Sequence, residues 1–131
     1  MRFSSILYWV AAGLCSLGAA AHEIVGAPKV LEPLAQSGLP QDVIWLHHFT
    51  WHVGTVAVLI MAGMFIAASR SPAGRILGVF ATAMSAGFAA LGIGLELLGD
   101  EVLWTTPAPY PWTLIALIGV VAVFKTPRDA K

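Results

Sequence analysis

The chain has 131 residues, of which 58% are apolar and only 11% charged, with a formal net charge of zero. Soluble domains carry about 25% charged residues, so this composition excludes water as the main solvent and points to a single integral membrane domain whose first partner is the lipid bilayer. The chain has no basic block to neutralise phosphates, which excludes nucleic acid as a partner.

The first apolar stretch runs from about Phe3 to Ala21. Arg2, followed by an apolar run and Ala19-Ala20-Ala21, fits a cleavable secretory signal, which would leave three helices. Against this, the run is long for the apolar region of a signal. Polar residues return only at His22 and Glu23, where a spanning helix would surface, so a retained first helix is the favoured expectation. Cys15 is the only cysteine, which rules out an intramolecular disulfide, and the bulky Leu14 before it argues against lipidation.

Residues 22–42 read as an extramembrane loop. Pro28, Pro33, Gly38 and Pro40 break any long helix there, leaving room for a short helical turn near Lys29 to Gln36. The second span covers about 43–69 and ends at a basic turn containing Arg70 and Arg75. The third covers about 76–98 and is followed by Asp100, Glu101 and a loop with Pro107 and Pro109. The fourth, about 111–124, is short for a crossing. Pro111 suits its first turn, and Tyr110 and Trp112 suit the membrane interface.

In this four-span arrangement Arg2, Arg70, Arg75, Lys125, Arg128 and Lys131 fall on one side, and only Lys29 falls on the other. Excess Lys and Arg in short loops marks the cytoplasmic face. The expected fold is therefore all-α, a transmembrane four-helix bundle with both termini inside, crossing a bacterial inner membrane several times. Trp45, Trp51, Trp104 and Trp112 then lie near the outer boundary, where tryptophan is a natural interface anchor.

Helices in lipid pack closely through small residues. In the third span Gly78, Thr82, Ala86, Ala90 and Gly94 recur every four residues, and Ser85, Ala89 and Gly92 form a second small line leading to Glu96. The third span is therefore expected to be central, and its stripes suit a homo-oligomer or membrane partner subunits. Met61, Met64 and Met84 read as packing residues, because about 100° of rotation per residue turns Met61 and Met64 away from the face of His48 and His52.

Chemistry, if present, concentrates at the outer ends. His48 and His52 are spaced i, i+4 on one helix face, the spacing of helical metal sites, while His47 projects about 100° away. His22 closes the first span at the same level. Glu96 sits within the third span, where an ionisable side chain is costly and normally faces a polar partner. At about 1.5 Å of rise per residue it lies level with His48, which makes a Glu96 to His48 contact the preferred one.

Three roles follow for this cluster. His22, His48, His52 and Glu96 could bind a transition metal such as zinc, or form a proton-responsive group. A haem between two histidines is disfavoured, because no histidines pair at two depths. The cluster could instead only tie helices together, as in a structural or accessory subunit. A small transporter component would need a polar path below Glu96, for which Thr55, Thr82 and Ser85 are the sole candidates. Ser85 has no base on its face and the glycines belong to apolar helices, so neither hydrolysis nor nucleotide binding is expected.

The pattern His22-Glu23, Gly26, Pro33-Leu34 and then Trp51-His52 resembles a group of small bacterial inner-membrane proteins with four helices, over about the first half of the chain. The resemblance implies that His22 is retained beside the first helix, and it brings no activity to transfer. The layout also resembles the four-helix DoxX-type membrane proteins in architecture alone, and fold does not carry function.

Overall fold

A computed structural model describes residues 2–127, and of Pro72 the backbone alone. Arg128 and Lys131, two of the cations behind the expected orientation, lie outside the described residues. Helix α1 spans Phe3–Ala21 and leads through a π-helical turn, His22–Gly26, directly into α2, Ala27–Ala35. Helix α3 spans Gln41–Arg70, α4 spans Arg75–Leu98 and α5 spans Tyr110–Lys125, with short 3-10 turns at Pro72–Gly74 and Glu101–Thr105. No strand occurs among the described residues.

Counting Phe3–Ala35 as one, there are four helices among the described residues, besides the short 3-10 turns. Phe3–Ala35, Gln41–Arg70 and Arg75–Leu98 are each long and apolar enough to cross a membrane; Tyr110–Lys125 is equally apolar but shorter. At 1.5 Å per residue, Phe3–Ala35 extends about 50 Å and overshoots a ~30 Å hydrocarbon core.

The segment expected to be a loop over 22–42 is helical as far as Ala35, and the chain breaks only over residues 36–40, where Gly38 takes φ +74°. The prolines allow this. Pro28 lies in the first turn of α2, where a missing N–H costs little, and Pro33 comes two residues before the end of α2. Just ahead of Pro28, the Ala27 N–H bonds the His22 carbonyl, five residues back. Because Pro28 has no N–H to donate in either register, the wider turn forfeits little.

Helices α1 and α4 each pack against both α3 and α5, so the four helices form a closed ring in chain order. The core is made of small residues and a few large ones: Ala11, Ala12, Cys15 and Ala81 surround Tyr8, Met61, Phe65 and Ile115. Tyr8 stacks on Phe65 with ring centroids 6.1 Å apart. A Cβ at Gly78 would lie 2.7 Å from the Tyr8 hydroxyl, and one at Gly119 would collide with Thr82, so both glycines set how closely the helices approach. Outward-facing residues remain apolar, Ile24 being 76% and Leu117 60% exposed. Faces of that kind suit lipid rather than water.

The i+4 stripe of α4 is not the packed face along its whole length. Gly78 and Thr82 are buried, but Ala86 and Ala90 are exposed, and the buried line continues through Ser85, Ala89 and Glu96. Four residues turn the helix by about 400°, so a strict i+4 line drifts some 40° per step and leaves the interface after two steps.

A candidate site at the histidine end of the helices

The π-helical turn brings His22 and Glu23 against α3. The His22 imidazole lies flat on the Trp51 indole, with centroids 3.9 Å apart and planes within 10°. His22 Nε2 stands 3.3 Å from the Trp51 carbonyl, which accepts its hydrogen bond. Gly26, one turn further, makes room for the indole, since a Cβ there would meet it at 3.0 Å. Trp51 is therefore a packing residue between two helices rather than a free interface anchor. Trp112 also packs inward, its ring edge-on to Phe88 at 5.2 Å. Trp45 and Trp104 stay exposed.

Glu23 reaches across to α3. Its Oε1 accepts hydrogen bonds from the Thr55 hydroxyl and from His52 Nδ1, the latter at 3.2 Å. The imidazole is 55% exposed, and an ion pair so open to solvent contributes only about 0.2–1 kcal/mol. Its value lies in fixing which faces of the helices meet. In the sequence Glu23 marks the end of the first span and was not expected among the site residues. The signal that could have found it is the placement of Thr55 three residues after His52, two donors on one face awaiting an acceptor.

The four residues expected to form one cluster are divided among separate partners. His52 pairs with Glu23 and His22 rests on Trp51. His48 lies 5.1 Å from the Trp45 ring and 6.5 Å from the His52 ring. His47, exposed, turns back to the Val43 carbonyl of its own helix at 3.0 Å. The expected Glu96 to His48 contact is not made: Glu96 is 5% exposed, and neither of its oxygens has a hydrogen-bond partner. Equal depth places two residues at one level but not on facing sides of their helices. Among the described residues no three His, Cys, Asp or Glu side chains converge as metal ligands would.

Below the clamp lies a partly open cavity of about 250 Å³, to which all four helices contribute. Gly18 and His22 line it from the first helix, Thr55 from α3, Phe88 and Gly92 from α4 and Trp112 from α5. Its walls are almost wholly apolar. The hydroxyls suggested as a polar path toward the other end are otherwise engaged: Thr82 donates to the Gly78 carbonyl and Ser85 to the Ala81 carbonyl, each within α4.

Compared with known protein families, with curated proteins and with solved structures, the chain matches none.

Proposed function

We propose that this chain is a multi-pass protein of a bacterial inner membrane, with four spanning helices and both termini cytoplasmic, carrying a proton-responsive site at its outer end. The excess of Lys and Arg at the end opposite the histidines supports that orientation. The observation that carries the functional reading is the Glu23 carboxylate, held by His52 and Thr55 at a π-helical turn. Single π turns recur at functional positions in helices, and histidine is the side chain that most readily changes charge in the mildly acidic range.

The pair Glu23 and His52, with His22 beside it, is an ion pair only while the imidazole is protonated and the carboxylate ionised. Acidification that neutralises Glu23 removes the charge that accepts from Thr55 and His52 and releases the clamp. The π turn is the element that transmits the change, since it alone aims Glu23 at α3. A transition metal held by His22, His48, His52 and Glu96 would require these side chains to leave their present partners, which makes it the weaker reading. A purely structural clamp, as in an accessory subunit, has the same contacts in its favour and differs in its response to pH.

The test is a pH titration of histidine-labelled full-length protein in nanodiscs, followed by nuclear magnetic resonance, beside Glu23→Gln. In the wild type, the His52 resonance and the amides of residues 22–26 are expected to move together, and in the variant the amides stay still. Amides that ignore pH in the wild type would leave a structural clamp as the function of the contact.

A further inference from the structure

We propose that the end of the bundle opposite the histidines binds the headgroup of an anionic phospholipid, with the Arg75 guanidinium on its phosphate. The inference uses the spanning helices. It depends neither on the Glu23 and His52 pair nor on which face of the membrane that end meets.

The helices end at one level there. The Ser5 hydroxyl donates to the Ser69 carbonyl at 2.8 Å, which sets the start of α1 beside the end of α3. Arg75 Nε donates to the Val123 carbonyl at 3.3 Å, which sets the start of α4 beside the end of α5. Between α3 and α4 the chain turns closely, since a Cβ at Gly74 would lie 2.6 Å from the Ala67 carbonyl oxygen. Each helix therefore brings one cation to the same rim: Arg2 precedes α1, Arg70 ends α3, Arg75 opens α4 and Lys125 ends α5. Arg2, Arg70 and Lys125 are exposed and Arg75 is half-buried.

Among the described residues no carboxylate meets these cations. Glu23, Glu32, Asp42, Glu96, Asp100 and Glu101 all lie toward the opposite end, and the one ion pair is that of His52 and Glu23; Asp129 lies outside the described residues. Packed helices have axes about 8–10 Å apart, within the screening length of ~10 Å at about 0.1 M salt, so adjacent charges of the rim act on one anion together. The ends of spanning helices meet the headgroup layer, where the phosphodiester is the abundant anion. A zwitterionic lipid brings its own ammonium group to offset the phosphate; an anionic lipid does not.

Arg75 gives the rim a specific phosphate ligand. The bond from Nε is the only hydrogen bond its side chain makes among the described residues, and its terminal nitrogens are not sealed from the outside. A guanidinium fixed in this way offers the remaining donors as a planar fork that matches phosphate oxygens. Below it, Ile76 and Phe80 on α4 are exposed and one turn apart, and Phe124 is exposed beside Lys125 on α5. These side chains give acyl chains an apolar wall, a contact that a free phosphate cannot use.

The experiment is native mass spectrometry of the full chain in detergent micelles, titrated with phosphatidylglycerol or with phosphatidylcholine of the same acyl chains. The first phosphatidylglycerol is expected to bind at least about tenfold more tightly than the first phosphatidylcholine, since each cation near a headgroup contributes about fivefold. Arg75→Gln and Lys125→Gln should each weaken phosphatidylglycerol about fivefold and leave phosphatidylcholine within about twofold. Lys125 is exposed at the end of its helix, so its variant keeps the fold. Lys29→Gln, at the other end, should leave both lipids unchanged. Equal binding of the two lipids, a preference undiminished in both rim variants, or an equal loss in Lys29→Gln would each overturn the assignment. Displacement of the lipid by millimolar inorganic phosphate would overturn it in favour of a free phosphate.

Discussion

The Trp51 indole and the His22 imidazole lie face to face, 3.9 Å between centroids, and the same histidine is bonded to the Trp51 carbonyl. One residue of α3 thus holds one residue of the π-helical turn through both its ring and its backbone. The stack joins these elements above the cavity. Trp51→Ala is expected to destabilise the folded protein by about 2–4 kcal/mol, and Trp51→Phe, which keeps a ring for the stack, by about 1 kcal/mol. Unfolding in mixed micelles checks both, and equal losses for the two variants would show that the stacking contributes nothing of its own.

Two glycines of the continuous Phe3–Ala35 helix should respond to alanine in opposite directions. At Gly26 a Cβ presses on the Trp51 ring at 3.0 Å; at Gly13 it meets nothing within 4 Å. Gly13→Ala is expected to raise stability by up to about 1 kcal/mol through helix propensity. Gly26→Ala sets the same gain against overpacking, which costs about 1–3 kcal/mol, and should be destabilising with a shifted Trp51 emission. Matching thermal shifts in detergent would show that the indole yields freely.

These contrasts show what was legible in the sequence. The four helices were readable because long apolar runs admit few alternatives, and the observed bounds of α3, α4 and α5 lie within two residues of the expected ones. Of the helical path from His22 to Ala35 only the turn near Lys29 to Gln36 was legible, and α2 covers most of it; the continuous helix was not, because Pro28 and Pro33 act as breakers unless their place within a helix is known. Glu23 as the partner of His52 was hidden for a related reason. A π turn shifts the face of everything before it relative to everything after it by about one residue, or 100°, and no count of 3.6-residue periods contains that step. Glu96 was correctly expected to be buried. Its partner was inferred from depth alone, and depth leaves the angle around the helix axis undetermined.

Across the middle of the ring, the Tyr8 side chain of α1 reaches Gly78 of α4. With a Cβ 2.7 Å from the hydroxyl and 2.8 Å from two ring carbons, Gly78→Ala cannot be absorbed without moving the Tyr8 ring, which stacks on Phe65 and accepts a hydrogen bond from the Thr126 hydroxyl at 3.3 Å. A destabilisation of about 1–3 kcal/mol is expected. In a double-mutant cycle, Tyr8→Leu should cancel at least half of it, because the smaller side chain removes the clash. Strict additivity would mean that the strain is borne elsewhere.

The fate of α1 can be decided with its single thiol. Tyr8, Ala11, Ala12, Cys15 and Ala19 are the buried apolar residues of this helix, and they cover Met61 and Phe65 of α3 and Ile115 of α5. Cleavage after Ala21 would strip that cover and expose the largest apolar side chains of the core, a loss that small-residue packing between the remaining helices could not replace. The protein isolated from membranes is therefore expected to keep residues 1–21. Cys15 is the only cysteine, so a cleaved product has no thiol. A maleimide should label the denatured protein once per chain and the folded protein far more slowly, since Cys15 is fully buried. No labelling after denaturation would mean that α1 had been removed, and rapid labelling of the folded protein would mean that α1 does not pack against α3 and α5 as described.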